Sequence, residues 1–223
     1  AQTSGTTLSL YGVWGSSASS VWAVGSSGTL LKWDGTSWSS AISPTFNAYS
    51  AVWGTDANNI FAVGDSSIQR WNGSTWSQAY ASANRLSGLW GSDANHIWAV
   101  GEKGTVVKWD GTAWSTQPSS FKTWILGVWG LDANNVWAVG DEGILKGDSM
   151  AWTTQSEGVR KSLTEVWGTD PARLDRQASS GRTDTPIWDI NNRMNGFDLT
   201  ATNPVSGTPG VVKFMGVNGF RTK

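Results

Sequence analysis

LWGSDANHIWAVGEKGTVVKWDGTAW, from Leu89 to Trp114, is one of four versions of a single sentence in this chain. The others are VWGSSASSVWAVGSSGTLLKWDGTSW (Val13–Trp38), VWGTDANNIFAVGDSSIQRWNGSTW (Val52–Trp76) and VWGLDANNVWAVGDEGILKGDSMAW (Val128–Trp152). A fifth opening follows at Val166. The Trp-Gly pairs begin at Trp14, Trp53, Trp90, Trp129 and Trp167, with steps of 39, 37, 39 and 38 residues. A period near 38 residues marks one supersecondary unit copied along the chain.

Each copy divides at turn residues into four short runs of strand-forming residues. The first ends in VWG and the second is VWAVG or its equivalent. The third is TLLKW at Thr29–Trp33, and the fourth starts at Trp38. Asp34-Gly35, Asn72-Gly73 and Asp110-Gly111 join the third and fourth runs, and such pairs favour tight hairpins because Gly accepts positive φ. Asp56, Asp93 and Asp132 open Asp-Ala-Asn turns between the first and second runs, where Asp and Asn bond their own backbone. The unit therefore reads as a four-stranded antiparallel meander.

Aromatic residues recur in register. The step from first-strand Trp to second-strand aromatic is 8 residues in all four copies, as from Trp90 to Trp98. A sheet apolar on both faces needs a cover on both sides, and identical sheets arranged around a ring cover each other. The predicted fold is all-β: a β-propeller of four-stranded antiparallel blades in one domain over 1–223. The repeats run approximately 9–45, 46–82, 83–121, 122–158 and 159–223. Five blades are preferred. Ile187–Asn191 reads as a second strand of the last blade and Val211–Gly216 as its third, with Phe220 near the fourth-strand Trp position. Insertions then fall near 171–186 and 192–209. The alternative is four blades with a divergent tail.

Composition narrows the function. The 223 residues carry 16 Lys and Arg against 17 Asp and Glu, a net charge of -1. That balance gives no electrostatic case for nucleic acid. No apolar run reaches the ~20 residues of a membrane span. With no Cys and a single His, there is no disulfide, no thiolate or multi-histidine metal site, and little basis for a Ser-His-Asp triad. His96 reads as a turn residue, and so do the recurring Asp residues. No enzyme activity, metal or cofactor is expected. Low charge and abundant Ser, Thr and Asn suit a secreted, periplasmic or cell-surface protein. Residues 171–223 hold 7 Lys and Arg against 4 acidic residues, a local excess suited to docking another copy or a partner.

The pattern VWG…WAVG…KWDG…W resembles repeats of secreted and surface bacterial β-propeller proteins, near the tectonin-like, kelch-like and Asp-box families. Asp34-Gly35-Thr36-Ser37-Trp38 puts Gly directly after Asp, so the Asp-box match is partial. The resemblance implies a lectin-like, carbohydrate-binding module.

Candidate binding residues lie where the copies differ. Asp65, Glu102 and Asp141 follow the AVG strand, in loops expected to share a face with the variable linkers between blades. Those linkers carry Tyr49, Tyr80 and Trp124. Trp124 paired with Glu102 or Asp141 could offer a sugar an aromatic platform and hydroxyl acceptors. The expected partners are glycans or, alternatively, a protein surface met by the fifth-copy insertions.

Overall fold

The computed structural model describes residues 3–148, 150–157, 162–168, 199–202 and 209–216. The first sheet is β1 (Leu10–Ser17), β2 (Ser20–Gly25), β3 (Leu30–Trp33) and β4 (Trp38–Ser40). The second is β5 (Ala51–Asp56), β6 (Asn59–Gly64), β7 (Ser67–Trp71) and β8 (Trp76–Ala81). The third is β9 (Leu86–Asp93), β10 (His96–Gly101), β11 (Val106–Trp109) and β12 (Trp114–Gln117). The fourth is β13 (Ile125–Asp132), β14 (Asn135–Gly140), β15 (Gly143–Gly147) and β16 (Trp152–Glu157). Each is an antiparallel meander in chain order.

A fifth sheet holds β17 (Leu163–Gly168), β18 (Leu199–Thr202) and β19 (Pro209–Gly216) in the order β17-β19-β18. Here the expected order fails. Val211–Gly216 lies in β19 and pairs directly with β17, so it stands in the place of a second strand rather than a third. Ladder bonds are made by the backbone, and either place accepts an apolar strand. Ile187–Asn191, Phe220 and most of the two expected insertions lie outside the described residues, although β18 falls inside the second.

Turn chemistry fixes each meander. Asp56, Asp93 and Asp132 accept the amide of the residue two ahead at 2.8 Å, as expected of turn formers. The third-strand Trp then ties this turn to its own sheet. Trp33, Trp71 and Trp109 donate their indole N–H to the carbonyls of Ala18, Ala57 and Ala94 at 3.0–3.1 Å. In the hairpin after the third strand, Asp110 Oδ1 accepts the Thr112 amide and hydroxyl and the Ala113 amide within 2.8 Å. Asn72 Oδ1 makes the same three bonds in the second sheet.

These bonds hold the Asp110 carboxyl at about 2, below the usual 3.8, through the Ala113 amide first and then the Thr112 hydroxyl and amide. Asp34 is held at about 2 by the Ser37 amide, then by the Thr36 hydroxyl and amide. A carboxyl lowered by folding contributes stability that is full above its unfolded value and lost as pH falls through its folded value. Acid should therefore weaken both hairpins between about pH 4 and 2. Asp110→Asn should fold normally at neutral pH, as Asn72 does, and flatten that part of the acid-unfolding curve. Circular dichroism across the pH range checks this. An unchanged acid profile would count against the assignment.

The core is divided among the junctions between sheets. One apolar cluster joins the first sheet to the second, and others join the second to the third, the third to the fourth and the fourth to the fifth. The first two junctions reuse the same parts, whereas the fourth sheet carries Gly147 where the others carry the third-strand Trp. The second-strand aromatic of one sheet packs on the third- and fourth-strand Trp pair of the next. Trp22 meets Trp71 and Trp76 at 5.0 and 5.1 Å, and Phe61 meets Trp109 and Trp114 at 5.8 and 5.6 Å. A cation lies in the sandwich: Lys32 over Trp22 and Trp71, and Arg70 over Phe61 and Trp109, at 5.4–5.7 Å. The first-strand Trp of each of the first three sheets reaches across to a glycine of the next. A Cβ on Gly91 would sit 2.6 Å from the Trp53 ring, and one on Gly130 would sit 2.7 Å from the Trp90 ring.

Among the described residues, the first sheet is covered on one face only. Val13 is 68% exposed, whereas its equivalents Val52, Leu89, Val128 and Val166 are at most 9% exposed. Leu10 is 39% exposed, against at most 1% for Tyr49, Leu86, Ile125 and Leu163.

Candidate functional site

β1, β5, β9, β13 and β17 each form one edge of their sheet, and consecutive ones lie side by side. Small residues let them approach. A Cβ on Gly12 would stand 3.2 Å from Ala51 Cα, and one on Gly127 would stand 3.0 Å from the Thr164 carbonyl oxygen. The five strands line an open cavity of about 650 Å³. Tyr11, Ser50, Ser87 and Glu165 are among its lining residues, and Glu165 is the only charged one. Ser87 Oγ is already engaged, donating to the Ile125 carbonyl at 2.5 Å. Glu165 is exposed, at the place where the other inner strands carry Gly12, Ala51, Gly88 and Gly127. Tyr11 is 58% exposed. The sequence reading missed Glu165. Its signal was a carboxylate at a position that is otherwise Gly or Ala.

The second candidate surface is the linker face. Loops after the second strand do share it with the linkers, because their backbones pair there. Leu86 N donates to Asp65 O, Gly104 N to Thr123 O and Asp141 N to Trp124 O, at 2.5–3.0 Å. Trp124 is half-buried, and its segment is bracketed by the Glu102 and Asp141 loops. Several of the acceptors are engaged within the protein. Asp65 lies 3.6 Å from Arg85, and Asp141 Oδ1 accepts the Ser162 hydroxyl. Glu142, which the sequence reading passed over, accepts the Lys122 and Thr123 amides and the Thr123 hydroxyl within 2.9 Å. Desolvation raises its carboxyl, but these bonds outweigh that and hold it below the ordinary range. Glu102 begins a 3-10 turn, Glu102–Gly104, and is half-buried.

Two tyrosines of the expected site belong elsewhere. Tyr49 is 1% exposed in the core between the first and second sheets, with its hydroxyl 2.8 Å from Ser43 Oγ, so it presents no surface to a ligand. Tyr80 lies in β8 rather than in a linker, half-buried against Trp114 with ring centroids 6.4 Å apart. His96 Nδ1 sits 2.9 Å from both Asp93 carboxylate oxygens, closing a turn. Among the described residues, no group of three or more His, Cys, Asp or Glu is placed to hold a metal ion. No helix among them is long and apolar enough to cross a membrane.

No protein-family model and no curated protein matches the chain. Solved structures do. The WD40 repeats of RRP9 are similar at 11% identity and a TM-score of 0.63, over 73% of this chain and 55% of that one. The WD40 propeller domain of Doa1 is similar at 12% identity and a TM-score of 0.61, over 72% and 59%. The fold is a β-propeller. YCF48, solved with a D1 peptide bound, shares it at 16% identity and a TM-score of 0.56, over 72% of this chain and 59% of YCF48. At such identities the likeness shows the fold alone, and the chain spans less than two thirds of the length of these propellers. Its sheets are blades, and its cavity lies where inner strands line a propeller channel.

Proposed function

We propose that this propeller is a non-enzymatic protein-interaction scaffold whose inner cavity takes an extended polypeptide segment bearing a basic side chain. The observation that carries this is Glu165, a single exposed carboxylate among apolar, hydroxyl and glycine positions. Inner-strand edges present backbone groups at regular spacing, which an extended segment can match. About 650 Å³ is within the range of ligand sites. YCF48, a propeller solved with a peptide bound, supports a peptide in this fold. Composition fits a secreted or surface-displayed scaffold.

A glycan on the linker face is the less supported reading. Asp65 and Asp141, expected to accept sugar hydroxyls, are engaged with Arg85 and Ser162.

The test is a peptide array probed with the purified chain and with Glu165→Gln and Glu165→Lys. Selected peptides should contain Lys or Arg, and Glu165→Lys should weaken binding about tenfold or more, roughly 1.4 kcal/mol. Peptides held equally by all three proteins, or no bound peptide, would overturn the reading.

A further inference from the structure

We propose that the uncovered face of blade 1 is a seat for one further copy of the same repeat unit, joined through the segment that enters β1. Two observations point to it. The face carries every part that receives a neighbour elsewhere. Leu10, Val13 and Val21 stand where Leu86, Leu89 and Ile97 are buried in blade 3. Gly15 stands where Gly91 receives Trp53. Trp33 and Trp38, with ring centroids 5.6 Å apart, stand where Trp71 and Trp76 receive Trp22 in blade 2, and here both are half-buried.

The chain entering blade 1 already has the form of a linker leaving a blade. Ser43 Oγ donates to Thr45 O at 2.7 Å and accepts the Thr45 amide at 3.3 Å, and Thr45 Oγ1 accepts the Asn47 amide at 3.1 Å. Thirty-nine residues earlier, Ser4 donates to Thr6 O at 3.2 Å and accepts the Thr6 amide at 3.5 Å, and Thr6 accepts the Leu8 amide at 3.1 Å. Between blades 1 and 2 this bonded segment follows β4; ahead of blade 1 the same segment is present.

The occupant is therefore specified by its chemistry: a meander with a Trp on its first strand, Trp or Phe on its second and Lys or Arg on its third. Blade 2 is such a unit, with Trp53, Phe61 and Arg70.

The experiment fuses a second copy of residues 40–77 ahead of residue 1 of the full chain. Ala1 then follows Ser77 as Ser40 follows Ser39. Oxidative footprinting by mass spectrometry reads Leu10, Val13, Trp33 and Trp38 with and without the added blade. Val13 labelling should fall about sevenfold, as its exposure drops from 68% to the 9% or less of its equivalents. Trp53→Ala with Phe61→Ala in the added copy only should restore the labelling. Equal labelling of fused and unfused chains would overturn the proposal. So would protection of the unfused chain. If that protection rises with concentration, a second copy of the chain is the occupant; if it does not, the chain's own later residues are.

Discussion

Gly101→Ala is expected to lower stability by about 3 kcal/mol, the upper end for an added methylene in a packed site. The cause is not backbone conformation, since Gly101 has φ -177, an extended value open to any residue. It is the approach of the strand that enters the same blade. A Cβ on Gly101 would lie 1.9 Å from the Arg85 carbonyl oxygen and 2.8 Å from Leu86 Cα. Both obstacles are backbone, so no side-chain rotation relieves them. The Glu102 amide donates to that same Arg85 carbonyl at 2.9 Å, so moving it breaks a bond as well. Gly25, Gly64 and Gly140 face the carbonyls of Ser9, Ala48 and Trp124 in the same way. Against a total of about 5–15 kcal/mol, the loss is large. Urea unfolding followed by circular dichroism measures it. A variant as stable as the parent would contradict this geometry.

Trp98→Ala should cost about 3–5 kcal/mol, the range for emptying a large buried site. Trp98 is fully buried, packs with Trp152 across the junction, and lies beneath Lys108 Nζ at 5.3 Å. Trp98→Phe should cost far less. Phe61 fills the equivalent place in blade 2, and the Trp98 indole N–H is buried without a partner. Trp33→Ala is the comparison on the open face. Trp33 is half-buried and loses one bond to Ala18, so about 1 kcal/mol is expected. Equal losses for Trp33→Ala and Trp98→Ala would mean that blade 1 is covered after all. The same urea midpoints decide both questions.

Much of the fold is legible from residue types that act locally. Asp110-Gly111 and Asp93-Ala94-Asn95 fold against their own backbones, so reading them needs no knowledge of distant residues. Periodic Trp residues likewise report burial where a neighbouring blade covers them, as at Trp71, Trp76, Trp109 and Trp114. Other features depend on contacts made across space. Lys32, Arg70, Lys108 and Lys146 recur one place before the end of the third strand, yet such a cation reads as solvent-facing until the second-strand aromatic of its own blade, and for Lys32 and Arg70 a Trp of the next blade, is seen beneath it. Tyr49 sits in a variable linker and reads as exposed, but it occupies the first-strand position held by Leu86 in blade 3. The Asp65 and Asp141 carboxylates looked available because Arg85 and Ser162 lie about 20 residues away in sequence. The fifth copy lost its legibility together with its period: after Gly168 no turn signal fixes which strand should stand beside β17.

The cation–aromatic sandwich has a consequence for inheritance. Junctions built from the same few residue types carry no record of which blade belongs where. A gene encoding such units can gain or lose a whole repeat, 37 to 39 codons at a time, and a new boundary between units built like blades 1 to 3 still meets a compatible surface. Selection then acts on the number of blades, a quantity that changes in a single recombination event, while the individual contacts stay as they were.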